Sequence, residues 1–240
     1  MAASRTALGP EHPQTLTAIS NLGAIRERIG PERKVCAAVK ADAYGHGAPV
    51  VCHALQRAGA DMFAVAMTEE ALDLRFAGIT RPIILLGAVP GEDIPFILEN
   101  DVTACITEEA FARELSVRAL NRGTVAHAHI NIDTGMHRVG LDWETAVESV
   151  RRIAELRGVE IDGIFTHFAC SDADDLSFSH EQIRRFRHVL GRLRRGGLDI
   201  PFVHMANSNG VLRLPEAHFD GVRPGLILYG LCSRPELGRE

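Results

Sequence analysis

The strongest constraint on this chain is an alternation that runs its whole length. Short apolar, strand-like runs fall at 34–39, 62–66, 83–86, 102–106, 124–132, 159–166, 201–205 and 219–223. Between them, segments 48–59, 68–77, 92–99, 107–120, 142–156, 178–195 and 207–213 carry apolar residues at three- and four-residue spacing, the period of a helix. Ile183, Phe186, Leu190 and Leu193, for example, share one helix face, with the arginines on the other. A further helix over about 14–29 precedes the first strand. Eight strands alternating with eight helices in 240 residues predict an α/β chain closed into a (β/α)8 TIM barrel rather than an open doubly wound sheet. The first helix is placed to cover the seam between strands one and eight.

Composition narrows the function classes. Lys plus Arg number 26 against 31 Asp plus Glu, a net charge of −5, so no overall field draws the chain to nucleic acid or to an anionic membrane. The locally basic run RRFRHVLGRLRRGG at 184–197 has its charges at helical spacing and reads as a solvated face. The five cysteines form no Cys-x-x-Cys pair, and Cys36 and Cys105 sit in apolar runs where a reduced thiol packs as a small hydrophobe. With no secretion signal in residues 1–15 and no window long enough to span a membrane, the expected location is the cytoplasm. No repeat, low-complexity tract or linker divides the chain, so the expected organisation is a flexible segment at 1–13, one barrel over 14–232 and a tail at 233–240.

In a parallel barrel the active site lies at the C-terminal ends of the strands. Lys40 ends the first apolar run and is followed at once by Ala-Asp-Ala-Tyr-Gly-His-Gly. A lysine amine, ordinarily of pKa about 10.4, becomes a nucleophile where low polarity or a nearby cation disfavours its ammonium form. Gly45 and Gly47 let the backbone pass close to a ligand with positive φ, and Tyr44 offers a hydroxyl to an anion. Arg138 falls just past the fifth strand, His167 at the end of the sixth, Asn207 and Ser208 after the seventh, and Arg223, Gly225 and Leu226 after the eighth. Five strands thus converge on one rim. These types suit pyridoxal phosphate. Tyr44, Ser208 and the backbone around Gly225 are expected to cradle its phosphate, with Pro224 fixing the turn and Arg223 expected to face the ring nitrogen, oriented by His167. Singly, each residue has a plainer reading: a surface ion pair, a satisfied polar histidine, or Asn-Ser as a helix cap.

In this order the strings VKADAYGHG, NIDTGMHRVG, THFA, MANSNG and VRPGLILYG resemble the barrel domain of alanine racemase, a pyridoxal-phosphate enzyme of fold type III. The resemblance implies racemisation of L-alanine to D-alanine, a cell-wall precursor, with Lys40 as the covalent cofactor lysine and one racemising base. It places Tyr44, Asn207, Ser208, Gly225 and Leu226 near the phosphate, Arg223 at the ring nitrogen, and Arg138 and His167 on the substrate side, with no metal. Three departures bear on activity. Family members usually carry a lysine seven residues before the motif arginine, where this chain has Asn131, so a neutral amide or a bound anion must orient Arg138. The usual glycine before that arginine is His137, added bulk expected to reshape the substrate side. Racemases also continue into a β-domain that donates the opposing catalytic tyrosine to a partner subunit, whereas this sequence ends at Glu240 and begins with the polar stretch GPEHPQT in place of an apolar strand. The expectation is therefore a barrel that binds the cofactor and racemises feebly or not at all. Its expected partners are a small amino acid, alanine first, and a homodimer mate or separate β-domain.

Two rival readings remain. One is a non-catalytic pyridoxal-phosphate carrier like the small homeostasis barrels, whose lysine motifs differ from VKADAYGHG. The other is a metal-dependent hydrolase built on His127, His129, His167, His204 and Asp220. His127 and His129 fall in mid-strand, where packing explains them better.

Overall fold

The computed structural model describes Gly9 and residues 11–232. Positions 1–8, 10 and 233–240 lie outside the described residues, and with them most of the expected N-terminal segment and all of the tail.

The strands are β1 (Lys34–Ala38), β2 (Met62–Val65), β3 (Ile83–Leu85), β4 (Val102–Ile106), β5 (Ala126–Asp133), β6 (Leu141–Asp142), β7 (Val159–Phe165), β8 (Phe202–His204) and β9 (Gly221–Val222). Every pairing is parallel. β1 joins β2 on one side and β9 on the other, and β4 joins β5, so eight strands close on themselves. The expected barrel is present. The departure is β6, a two-residue strand pairing outside the barrel with Ile132 and Asp133 of β5.

Alternation along the strands separates two apolar layers. Cys36, Met62, Ala64, Ile84 and Phe202 form a cluster of their own, while Val35, Ala37, Phe63, Val65, Ile83 and Leu85 join the larger core that includes the helices. Cys36 and Cys105 are fully buried, and burial pushes both thiols up to about 12, so they pack as neutral side chains.

The helices are α1 (Pro13–Ile29), α3 (Ala48–Arg57), α4 (Thr68–Phe76), α5 (Ile94–Glu99), α6 (Glu109–Asn121), α7 (Ala146–Ala154), α8 (Ser177–Arg195) and α9 (Ser208–Arg213), with α2 a short turn over Lys40–Gly45. α1 covers the seam as expected. Its Arg26 donates to the carbonyl of Gly59 beyond α3, and its Arg28 donates to the carbonyls of Val211 and Leu212 on α9. α7 begins at Ala146 rather than 142 because Asp142 pairs in β6 and its carboxylate takes the N–H of Glu144. The expected helix 92–99 divides into a 3-10 turn over Gly91–Asp93 and α5, with Pro95 in the first turn of α5. On α8, Ile183, Phe186, Val189 and Leu193 are buried, while Arg184 and Arg185 pair with Glu181 and Arg192 pairs with Glu148. The basic run is thus a solvated, ion-paired face. No helix among the described residues is long and apolar enough to cross a membrane.

Candidate active site

A cavity of about 180 Å³ opens at the C-terminal rim of the barrel, lined by Ala38, Lys40, Tyr44, Leu86, His167, Asn207, Ser208, Asn209, Arg223, Gly225 and Leu226. Eight of the nine residues singled out from the sequence line it. The ninth, Arg138, is exposed and lines a small adjoining hollow with Asn131, Ile132, Asp133, Met136, Val139 and His167. His167 is the residue common to both. A second cavity, of about 190 Å³, lies between α1 and α9. Its lining is largely apolar, without a lysine or histidine, and it has no part in the chemistry of the rim.

Lys40 stands where β1 gives way to α2, and this turn is wound the wrong way for L-residues. Ala41, Asp42, Ala43 and Tyr44 all hold φ between 52° and 55°, the left-handed region. Such a conformation costs about 1–2 kcal/mol per non-glycine residue, so several contacts must hold it. Glu70 supplies the main one: one carboxylate oxygen accepts the N–H of Ala41 at 2.5 Å, the other the N–H groups of Ala66 at 2.8 Å and Met67 at 3.2 Å. Asp42 takes the N–H of Ala48 at 2.7 Å, and Ala43 is fully buried. Gly45 and Gly47 have positive φ as expected. Sequence reasoning missed both the left-handed run and Glu70. The available signal was Glu70 at the third position of α4, a place that favours a carboxylate reaching back to the N–H of the cap residue.

Tyr44 reaches across to Gly225. A Cβ built on Gly225 would lie 2.5 Å from the Tyr44 hydroxyl and 3.4 Å from the Ala38 Cβ, so only glycine leaves this space. The Ser208 hydroxyl accepts the N–H groups of Gly225 at 3.0 Å and Ile227 at 3.4 Å. Two hydroxyls and two backbone donors therefore gather around one small gap. Behind Tyr44 stands Tyr229, its ring 5.4 Å away, whose hydroxyl donates to the carbonyl of Ala38. Burial raises the pKa of both phenols, aided at Tyr44 by Glu70, so both remain neutral donors. Asn207 fulfils the plainer reading as well: its side chain caps α9 by accepting the N–H of Gly210 at 2.9 Å.

Arg223 forms the floor. It is 3% exposed, and no carboxylate pairs with it among the described residues. Its Nη1 donates to His204 Nδ1 at 2.6 Å, and its Nη2 donates to the carbonyls of Thr166 at 2.8 Å and Met205 at 3.1 Å and to His167 Nδ1 at 3.2 Å. The Phe165 ring lies 5.0 Å below the guanidinium. Burial lowers the Arg223 pKa to about 10, which leaves it charged at neutral pH. Since His204 Nδ1 accepts from Arg223, its Nε2 carries the proton and donates to His129 Nδ1 at 2.9 Å. Burial, then the Arg223 charge, lowers the pKa of His129 and His167 to about 3 each and that of His204 well below its usual value. A single buried cation thus faces three neutral imidazoles. Gln182 of α8 fixes the other side by donating to the carbonyl of His167 at 3.0 Å. Sequence reasoning anticipated the His167 contact and missed His204 and Gln182 as its companions.

Two expectations are corrected by this geometry. His137 has φ 55°, a backbone conformation that favours glycine, and is exposed, 3.5 Å from Asp133, with its imidazole lining neither hollow. The five residues of the metal-hydrolase reading do not form one ligand cluster among the described residues. His127 pairs with Asp162, His129 with His204 and His167 with Arg223, while Asp220 accepts the N–H of Val203.

The comparisons identify the family of this fold. The family described as "Alanine racemase, N-terminal domain" matches residues 16–233. Alanine racemase 1 of Caldanaerobacter subterraneus subsp. tengcongensis is 39% identical over 221 residues, covering 92% of this chain and 57% of the relative. The alanine racemase of Methanococcus maripaludis is 42% identical over 213 residues, covering 88% of this chain and 57% of the relative. Among solved structures, the alanine racemase of Clostridium difficile 630 in complex with cycloserine superimposes with a TM-score of 0.90 at 32% identity, over 92% of this chain and 61% of that one. The Bacillus anthracis alanine racemase with bound L-Ala-P gives 0.86 at 36% identity, over 93% and 58%. The chain thus spans less than two thirds of the length of these relatives. By matched family, relatives and fold alike, this chain belongs to the alanine racemase N-terminal domain family.

Proposed function

We propose that this chain is a pyridoxal-phosphate-binding barrel serving amino-acid racemisation of the alanine racemase type, with alanine as the substrate. The observation that carries the reading is one small cavity holding a lysine amine, a buried guanidinium without a counter-charge and a donor cradle that a single Cβ would fill. When bound, the cofactor supplies an electron sink that acidifies the α-hydrogen of an amino acid.

Each residue has a stated task. Lys40 Nζ would hold the cofactor and would take up or return the α-proton of the substrate from its own face. The hydroxyls of Tyr44 and Ser208 and the N–H groups of Gly225 and Ile227 hold the phosphate, as backbone donors do in other anion-binding turns. Arg223 would present a fixed positive charge to the cofactor ring and, because His204 and His167 are neutral acceptors, would keep its proton. That charge would favour simple proton return over side reactions. Arg138, in the adjoining hollow, would bind the substrate carboxylate, and Asn207 and Leu226 would close the phosphate side.

Two-sided proton exchange also needs an acid on the face opposite Lys40. Neither described tyrosine at the site is available for that: Tyr229 is buried with its hydroxyl on Ala38, and Tyr44 is committed to the gap beside Gly225. By the family resemblance, the second acid would be supplied by a further domain or a partner subunit. The barrel alone is expected to bind the cofactor and turn L-alanine into D-alanine slowly.

An absorbance titration with pyridoxal phosphate tests this. The chain should develop the visible band of a lysine-linked cofactor, and Lys40→Ala should not; equal bands in both would end the proposal. A finer check is Gly225→Ala. Its Cβ forces the Tyr44 hydroxyl out of the cradle, and losing one charge-assisted hydrogen bond, about 1.5–3 kcal/mol, should weaken cofactor binding roughly ten- to a hundredfold. Affinity within a factor of two of the parent would remove Tyr44 from the phosphate site.

A further inference from the structure

At the end of the barrel opposite Lys40, three metal-ligand types meet that the proposed function does not use. His127 is the second residue of β5, and Glu160 and Asp162 are the second and fourth of β7. His127 stands in register beside Glu160. The register then shifts: Ala128 faces Ile161 but His129 faces Gly163, which leaves Asp162 as the extra residue of a bulge. Bulges re-aim side chains, and this one brings Asp162 Oδ2 to 2.8 Å from His127 Nδ1. One ligand atom from each of His127, Glu160 and Asp162 lies within 4.8 Å of the other two.

We propose that His127, Glu160 and Asp162 form a divalent-cation site, best matched to zinc, that clips β5 to β7 at the N-terminal end of the barrel. Zinc bonds of about 2.0 Å in tetrahedral geometry put ligand atoms about 3.3 Å apart, which small rotations of these side chains provide. One imidazole with two carboxylates is a donor set zinc accepts, and the nitrogen ligand disfavours magnesium and calcium. The side chains of His127 and Asp162 are 43% and 36% exposed, so an ion can enter and keep a water as its fourth ligand.

Charge points the same way. The one ion pair within the group among the described residues is His127 with Asp162, and Glu160 has no Lys or Arg partner there. Along a strand rising about 3.3 Å per residue, the group lies on the order of 20 Å from the Lys40 rim. The site is therefore structural, and the proposal stands or falls independently of the cofactor reading. It also gives His127 a role different from the His127–His129 pair considered from the sequence, since His129 belongs to the chain of contacts leading to Arg223.

The test is calorimetric titration of the tag-free, metal-stripped full chain with zinc chloride, repeated with cobalt(II) to read the ligand-field bands of a nitrogen–oxygen site. One zinc per chain is expected at micromolar affinity or tighter. A hundredfold excess over Kd should raise Tm by about 5–10 °C. His127→Ala and Glu160→Gln should each weaken binding at least about tenfold. His180→Ala, which removes a different exposed His–Glu pair, should leave the stoichiometry at one. Circular dichroism confirms that each variant is folded, and Glu160→Gln alters an exposed side chain that the fold does not need. No stoichiometric zinc, or zinc retained equally by His127→Ala and Glu160→Gln, would overturn the proposal.

Discussion

Replacing Arg223 with lysine is expected to lower the unfolding free energy of this chain by about 2–4 kcal/mol, although the charge is kept. The guanidinium serves four acceptors at once: His204 Nδ1, His167 Nδ1 and the carbonyls of Thr166 and Met205. An ammonium is a single point with three donors and a shorter, flexible stem, so it leaves at least one or two buried acceptors unpaired. Each of those costs about 1–3 kcal/mol. It also loses the planar contact over the Phe165 ring. Urea unfolding of both proteins at neutral pH reads the difference as a lower midpoint at unchanged slope. A midpoint equal to the parent's would mean that the fork of contacts around Arg223 contributes nothing to the fold.

Acid should unfold this protein unusually early. His129 and His167 have pKa values held down to about 3, and that of His204 is also held well below the usual value, first by burial and then by Arg223. In the unfolded chain each returns to about 6.5. Between those limits the unfolded state binds more protons than the folded one, so stability rises with pH and is lost as pH falls from about 6.5 towards 3. Each histidine contributes about 1.4 kcal/mol per pH unit near pH 5, and three together about 4. Against a total stability of about 5–15 kcal/mol, about one to four pH units exhaust the fold. Unfolding free energies measured at several pH values between 6.5 and 4.5 should show this slope. A flat profile would mean that the imidazoles take up their protons inside the barrel, which their contacts to Arg223 oppose.

The same buried group marks the limit of what was legible in the chain. The barrel could be read because its strands are continuous apolar runs and its helices keep their period, a pattern set locally by every segment. Boundaries slipped where side chains intervened: Asp142 draws its neighbours into β6 and delays α7, and Pro95 splits the helix before it. Lys40, Tyr44, His167, Asn207, Ser208, Arg223, Gly225 and Leu226 could be placed together because each follows a predicted strand, and such ends share one rim. Arg138 follows the same rule but lies one hollow away, since it comes five residues after Asp133, the last residue of β5.

What could not be read depends on contacts between distant segments. Glu70 holds the turn after Lys40 from another helix, and nothing in VKADAYGHG declares four consecutive left-handed residues without glycine. His204 resembled a metal ligand when taken with the other histidines. It became a companion of Arg223 only when β8 and β9 were brought side by side. The bulge that re-aims Asp162 towards His127 is likewise a property of strand pairing, invisible in either strand alone.

The central claim is that the Lys40 amine is the group that captures the cofactor, and the composition of the chain makes it unusually simple to test. The sequence contains two lysines, Lys34 and Lys40. Lys34 begins β1 at the far end of the barrel, with its ammonium over the Phe202 ring at 5.5 Å. Incubation with pyridoxal phosphate, reduction with borohydride and peptide mass mapping should therefore place a single pyridoxyl group on Lys40 and none on Lys34. A label on Lys34, an even division between the two, or no label at saturating cofactor would contradict the account.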